Sequence, residues 1–174
     1  MRKTIFLVIL IITIYCVIGI KAEQILKIPE DAIRFRVIAN SNSEYDQKVK
    51  YKVRDEIQDY MSTILQKVDS IDVSRAVIRD NLGIIEQKIS GVLTKEEYSL
   101  PYKVNFGLNY FPSKKYKGIA YNEGYYESLV ITLGSGTGDN WWCVLFPPLC
   151  LLEAEEGKEI EYTSIVKEML DKYV

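Results

Sequence analysis

Histidine is absent from this chain of 174 residues, and cysteine and proline are scarce, with three and five copies. Without an imidazole, neither a Ser-His-Asp nor a Cys-His catalytic arrangement can form, and histidine-containing metal sites are excluded as well. The two cysteines beyond the N-terminal region are too few to complete a tetrahedral zinc site. The sequence therefore predicts no catalytic residues, no bound metal and no cofactor.

An excess of positive charge is also missing. The chain has 22 Lys and Arg residues against 24 Asp and Glu residues. Three of the basic residues and none of the acidic ones lie in residues 1–21, so the remainder carries 19 basic and 24 acidic groups. A nucleic-acid-binding domain usually has the opposite balance, and nucleic acid is not predicted as a partner.

Charge is absent altogether from residues 4–20, a run of seventeen mostly apolar residues that follows Arg2 and Lys3. A helix of this length is about 25 Å long, which is close to the minimum for crossing a bilayer. The positive flank predicts that the chain after this segment is exported from the cytoplasm. Residues 1–22 are therefore predicted to form a signal peptide or a membrane anchor, and both outcomes stay open.

Residues 23–152 are predicted to form one extracytoplasmic α+β domain. Its first strand covers residues 32–40, where apolar residues alternate with arginines. Ser43 and Asp46 then form a capping pattern that begins a helix, and Asp72 is predicted to cap a second helix. The apolar stripes of the two helices are Val49, Val53, Ile57, Tyr60, Ile64 and Val68 in the first and Ile78, Leu82, Ile85, Ile89 and Val92 in the second.

A meander of strands is predicted after Pro101. Residues 102–110 alternate with a period of two, a short strand follows near residues 116–121, and residues 125–133 are rich in β-branched and aromatic side chains. The fold prediction is an N-terminal membrane or signal helix followed by a two-layer domain, with two helices packed on a mostly antiparallel sheet. Residues 153–174 are predicted to be an acidic tail with a short helix.

A glycine-rich loop at residues 134–140 precedes two adjacent tryptophans, Trp141 and Trp142. A phosphate-binding loop requires a helix directly after it, and none is predicted here, so the loop is interpreted as a surface connection. Adjacent residues of an extended chain point to opposite faces, which predicts one tryptophan in the core and one on the surface as an anchor for a partner. Packing of both in the core is the alternative.

Cys143 and Cys150 flank two prolines near the end of the domain. In an exported protein they are predicted to form a disulfide, which stabilises a fold by about 2–3 kcal/mol. Two buried free thiols are the alternative. A nucleophilic thiol is not predicted, because neither a histidine nor a concentration of positive charge is present to lower its pKa.

Two long blocks make the sequence specific, IRFRVIANSNSEYDQKVKYKVRD at residues 33–55 and GYYESLVITLGSGTGDNWWCVLFPPLC at residues 124–150. Together with the N-terminal apolar segment, they resemble the stage II sporulation protein R family of endospore-forming bacteria over residues 32–151. The resemblance implies a signalling protein and not an enzyme. Such a protein is made in the forespore and exported into the space between the two membranes, either secreted or anchored by residues 4–20.

The resemblance also implies a partner, a membrane-embedded aspartic protease of the mother-cell membrane. This protease processes the precursor of the early mother-cell sigma factor, and the present chain is expected to activate it by binding. The structural alternatives are that the polar residues of the blocks cap the first helix and that the tryptophans only pack. The expected partner-binding residues are Arg36, Asn40, Ser41, Ser43, Asp46, Gln47, Asn140, Trp141 and Trp142.

Two other functional classes stay open. Seven tyrosines lie between Tyr98 and Tyr126, and together with the many carboxylates they suit an extracytoplasmic protein that binds or acts on cell-wall glycan. A retained N-terminal segment suits an anchored structural protein of the septum.

Overall fold

A four-stranded mixed sheet carries helices on one face and contacts a smaller three-stranded sheet on the other. The computed structural model describes residues 26–27, 29, 31–116, 119–151, 167–168 and 170–172. The predicted export segment and most of the predicted tail lie outside these ranges. None of the helices within them combines the length and the apolar character that a membrane crossing requires. The predicted α+β class is confirmed.

The helices and strands are numbered in the order in which they occur along the chain. The helices are α1 (Glu44–Leu65), α2 (Ile71–Asp80) and α3 (Leu82–Lys95). The strands are β1 (Leu26–Lys27), β2 (Ile33–Ile38), β3 (Tyr102–Phe111), β4 (Lys114–Tyr116), β5 (Ile119–Tyr121), β6 (Gly124–Leu133) and β7 (Asn140–Phe146), and a 3₁₀ turn follows at Leu149–Leu151.

The strands of the main sheet lie in the order β3-β6-β2-β7. The outer pairings, β3 with β6 and β2 with β7, are antiparallel, as predicted. The central pairing of β2 with β6 is parallel, so the prediction is wrong there. The physical reason is the long connection between the two strands, through the helices, β3, β4 and β5, which allows β6 to lie beside β2 in the same direction. In the small sheet, β5 lies between β1 and β4.

Helix α1 begins where the capping pattern predicts. Ser43 is its N-cap, and the serine hydroxyl accepts a 3.1 Å hydrogen bond from the backbone N–H of Asp46. The residues spaced by four along α1 are buried in the core: Val49, Val53, Ile57, Met61 and Leu65. The remaining residues of the predicted stripe lie at the partly buried margin of the core: Tyr60, Ile64 and Val68.

The predicted second helix is in fact two helices, α2 and α3, which meet at Asn81. Ser70 caps α2 in place of Asp72, because the serine hydroxyl accepts a 3.3 Å hydrogen bond from the N–H of Val73. At the break, the Asn81 side chain donates to the Val77 carbonyl over 2.8 Å, and such a local hydrogen bond competes with continuation of the helix. The described part of the domain therefore contains three helices between β2 and β3, and not two.

The two faces of the main sheet differ in character. On β2, Phe35 and Val37 are fully buried in the core with the helices. Because successive strand residues point to opposite faces, Arg34 and Arg36 lie on the face away from the helices, which we call the basic face. The small sheet contacts this face, and the guanidinium carbon of Arg34 is 5.7 Å from the Tyr121 ring centroid.

Candidate partner-binding site

The pairing of β2 with the edge strand β7 determines the surroundings of Arg36. Arg36 lies opposite Trp142 in the register, and its guanidinium carbon is 5.3 Å from the centroid of the Trp142 ring. Its Nε atom donates a 3.2 Å hydrogen bond to Oδ1 of Asn140. The structure therefore brings together three of the predicted partner-binding residues.

Phe111 and Lys114 complete this group, which we call the Trp142 cluster (Arg36, Phe111, Lys114, Asn140 and Trp142). The Phe111 and Trp142 rings meet edge to face with centroids 5.1 Å apart. The Nζ atom of Lys114 is 5.4 Å from the Trp142 centroid. Cations at this distance from an aromatic ring contribute about 0.5–2 kcal/mol each. Trp142 is thus held in place by another ring and two cations.

A cavity of about 160 Å³ opens beside the Trp142 cluster. Asn140, Trp141 and Trp142 are each only half-buried, so they are accessible from solvent. Sequence reasoning missed the contributions of Lys114 and Tyr121, because tertiary contacts alone bring the short β4–β5 hairpin onto the sheet. The residues that line the cavity are Lys114, Tyr121, Asn140, Trp141 and Trp142.

Trp141 packs towards the core. Its ring meets the buried Phe35 edge to face, with centroids 5.4 Å apart. The guanidinium carbon of Arg54 on α1 is also 5.4 Å from the Trp141 ring centroid. Trp141 therefore contacts the core and α1, whereas Trp142 contacts side chains of the basic face.

The other predicted residues lie at the junction between β2 and α1. The Oδ2 atom of Asp46 accepts hydrogen bonds from the Ser41 hydroxyl at 2.5 Å and from Nδ2 of Asn40 at 2.9 Å. The hydrogen bond from Ser41 is the largest effect on the pKa of the Asp46 carboxyl, which lies below its usual value. Desolvation raises this pKa, and the hydrogen bond from Asn40 lowers it further. Asp46 is therefore ionised at neutral pH, in the first turn of α1.

This junction also anchors the glycine-rich loop. The Oδ1 atom of Asn40 accepts a 2.9 Å hydrogen bond from the N–H of Ser135, and the Asn40 carbonyl accepts one of 2.7 Å from the Thr137 hydroxyl. A Cβ atom at Gly138 would lie 2.3 Å from the carbonyl oxygen of Ser41. The loop approaches the junction too closely for a side chain at that position, which explains the glycine.

Gln47 and Lys50 extend the junction network. Gln47 donates from Nε2 to the Ser41 carbonyl at 2.9 Å. Lys50 is only 1% exposed, and its Nζ atom donates to Oε1 of Gln47 at 2.5 Å and to the Asp139 carbonyl at 3.2 Å. The junction residues thus have a structural role in joining β2, α1 and the loop, and their contact with a partner stays a prediction.

Cys143 of β7 and Cys150 of the 3₁₀ turn form a disulfide bond, with their Cα atoms 5.6 Å apart. The bond closes a short loop that begins within β7, the strand that carries both tryptophans. Gln58 of α1 donates a 2.8 Å hydrogen bond to the Cys150 carbonyl, so this loop is also joined to the helical layer.

The side chains of the Trp142 cluster are of the kinds that bind partners. Aromatic rings and arginine are enriched at the centres of protein interfaces. Among the described residues, no three His, Cys, Asp or Glu side chains converge in a way that would hold a metal ion.

Comparison with known proteins identifies the family. The family described as stage II sporulation protein R matches residues 29–156. Stage II sporulation protein R of Bacillus subtilis (strain 168) is 37% identical over 171 residues, which cover 92% of this chain and 76% of that protein. No solved structure matches the chain significantly. The chain therefore belongs to the stage II sporulation protein R family.

Proposed function

We propose that this protein is an exported sporulation signal, which activates by binding a membrane-embedded aspartic protease of the mother-cell membrane. The protease in turn processes the precursor of the early mother-cell sigma factor. Export from the forespore into the space between the two membranes is part of the proposal, and it rests on the apolar segment at residues 4–20. Membership of a sporulation family supports the biological setting.

The observation that carries the proposal is the accessible tryptophan on the edge strand. Trp142 is half-buried, lines a cavity and contacts the guanidinium of Arg36. Tryptophan and arginine are the residues most enriched among those that dominate binding energy at interfaces, where each contributes about 2 kcal/mol or more. A surface of this kind suits a protein that acts by docking.

Activation by docking requires that the protein bind the active form of the protease more tightly than the inactive form. A shift from 1% to 99% active protease needs a difference of about 5.5 kcal/mol between the two affinities. Two or three anchors of the size given above supply that difference when they contact only the active form.

Reconstitution in a non-sporulating host tests the proposal. The full chain is expressed with the protease and its precursor substrate, and cleavage of the precursor is measured by immunoblotting. We expect cleavage only when all three proteins are present, and a loss of at least about tenfold with Trp142→Ala. Tyr125→Ala, at a 72% exposed aromatic residue of β6, is the matched control and should leave cleavage intact. Cleavage without the chain, or full cleavage with Trp142→Ala in a folded and exported protein, contradicts the proposal.

A second candidate function is binding to cell-wall glycan. Tyr110 and Tyr125 are 50% and 72% exposed, and their rings meet edge to face with centroids 5.6 Å apart, so they form an exposed aromatic pair on which a sugar could stack. This candidate requires that the protein sediment with purified peptidoglycan and that Tyr110→Ala abolish the sedimentation. The signalling proposal requires neither result.

A further inference from the structure

The basic face has an unbalanced charge. The main-sheet strands, which lie wholly in the described part of the chain, place Lys103, Arg34 and Arg36 on this face and no Asp or Glu. The register sets this distribution, because the one acidic strand residue, Glu127, pairs with Leu108 on the opposite face. Since the whole chain has more acidic than basic residues, the basic face is a local exception.

Arg34 is the most buried of these cations. It is 1% exposed, and among the described residues none of its three side-chain nitrogens has a hydrogen-bond partner. Its guanidinium carbon is 3.3 Å from the Tyr126 ring centroid and 5.1 Å from that of Phe111. Aromatic rings stabilise the cation without neutralising it, so its positive field extends into the surroundings.

Arg36 and Lys114 bring two more positive charges to the Trp142 cluster. Each lies within 5.4 Å of the Trp142 ring centroid. The ion pairs formed among the described residues involve neither of them. Lys114 is exposed. Lys114 therefore brings a positive charge to the wall of the cavity, and Arg36 adds a second one through its contact with Trp142.

The volume of the cavity limits the kinds of ligand that can fit into it. Sites for small organic molecules usually enclose about 300–1,000 Å³, and this cavity has about 160 Å³. That volume accommodates one side chain and leaves the rest of the ligand outside. A polypeptide that inserts a single residue fits this description better than a free metabolite.

We propose that the cavity beside Trp142 binds a glutamate or aspartate side chain from an acidic segment of the protein partner. The carboxylate pairs with Lys114 in the wall of the cavity, the neighbouring Arg36 adds a second attractive charge, and the methylene groups pack on Trp142. This inference rests on the proposed function, since it specifies the chemistry that the docking partner presents. Complementary charge of this kind increases the association rate and the specificity of docking.

A peptide-binding experiment tests the inference without the protease. The two tryptophans of the full chain, Trp141 and Trp142, both line the cavity, so the fluorescence of the unmodified protein reports on it. The probes are a synthetic Glu-rich peptide without aromatic residues and the same peptide with Gln at every Glu. We expect saturable quenching with the Glu-rich peptide and binding about tenfold weaker with the Gln peptide. Equal binding of the two peptides, or no binding of either, overturns the inference.

Charge reversal locates the site. Lys114→Glu should weaken binding of the Glu-rich peptide by about tenfold, because one attraction becomes a repulsion. Lys67→Glu makes the same charge change at an exposed residue after α1 and is the matched control, which should bind within about twofold of the parent. An equal effect of both substitutions, or no effect of Lys114→Glu, overturns the inference. Quenching by phosphatidylglycerol vesicles but not by the peptide also overturns it, in favour of a lipid headgroup.

The precursor-cleavage assay separates this inference from the proposed function. Normal cleavage with Lys114→Glu, in a variant that no longer binds the peptide, overturns the inference and leaves the signalling function standing. Peptide binding that depends on Lys114, combined with no cleavage in the complete reconstituted system, contradicts the signalling function and supports the inference.

Discussion

Asn40 and Asp46 are joined by a 2.9 Å hydrogen bond from the Asn40 amide to the Asp46 carboxylate. Asn40 follows the central strand β2, and Asp46 lies in the first turn of α1. The bond therefore sets the direction in which the chain leaves the sheet. The side-chain oxygen and the backbone carbonyl of Asn40 accept hydrogen bonds from Ser135 and Thr137, so the same residue also positions the glycine-rich loop.

We expect the Asp46 carboxylate to make stability depend on pH at the acidic end. Its pKa is lower in the folded protein than the value of about 3.9 in the unfolded chain, so its contribution is complete above that pH and is lost as the pH falls through the folded pKa. Asp46→Asn should lower the free energy of unfolding by about 1–3 kcal/mol at pH 7. Urea unfolding at pH 7 and near pH 3 measures this, and the difference from the parent should shrink at the lower pH. Asp59→Asn, at an exposed residue of α1, is the control.

Glycine at position 134 is expected to be essential for the loop. Gly134 has a φ of +55°, and a Cβ atom there would lie 2.3 Å from Oδ1 of Asn40. Gly134→Ala should therefore destabilise the fold by about 1–3 kcal/mol. Gly83→Ala is a control of opposite sign, because Gly83 lies in α3 with no atom within 4 Å of the added Cβ, and alanine there should stabilise the helix by about 0.5–1 kcal/mol. The midpoint of thermal unfolding measures both effects, and midpoints that shift in the same direction in the two variants would contradict this account.

The disulfide is expected to contribute to stability in oxidising conditions alone. Replacement of Cys143 and Cys150 by serine should lower the free energy of unfolding by about 2–3 kcal/mol, because the short loop is no longer closed in the unfolded chain. Urea unfolding with and without dithiothreitol gives the measurement. The reductant should destabilise the parent and leave the double variant unchanged. An identical response of the two proteins would show that the thiols are free.

Tyr98 is expected to make stability depend on pH at the alkaline end. Burial raises the pKa of its phenol to about 12, with Asp46 and Tyr45 acting in the same direction. The pKa of a tyrosine in the unfolded chain is about 10. The contribution of Tyr98 to the free energy of unfolding is therefore complete below that pH and is lost as the pH rises towards 12. Tyr98→Phe should flatten this loss in urea unfolding, whereas Tyr125→Phe, at an exposed tyrosine, should not. Among the described residues the Tyr98 hydroxyl lacks a hydrogen-bond partner, so its removal should cost no stability at pH 7.

The sequence predicts local structure well where one short-range interaction decides it. The Ser43 cap predicts the start of α1, alternation predicts β2 and β3, and β-branched and aromatic side chains predict β6. The sequence does not predict the break at Asn81. An asparagine can continue a helix, or its side chain can hydrogen-bond to the helix backbone and end it, as it does here. Chain order favours strands that meet their neighbours in sequence, so it does not predict the parallel pairing of β2 with β6.

The candidate site likewise combines residues that the sequence predicts with residues that only the tertiary structure reveals. Arg36, Asn140 and Trp142 could be selected from the sequence blocks, and the β2–β7 register brings them together. Lys114 and Tyr121 could not, since nothing local indicates that the β4–β5 hairpin reaches the Trp142 ring. The charge asymmetry of the basic face requires the register of all four strands before it becomes visible.

The parallel pairing of β2 with β6 has a consequence for how the protein is made. β2 leaves the ribosome early, but the strands on both sides of it come from the last third of the domain. A nascent chain therefore cannot pair β2 with its neighbours until β6 and β7 have been made, and an incomplete product cannot form the Trp142 cluster. The cavity beside Trp142 is therefore present only in a chain that has been synthesised through the end of β7.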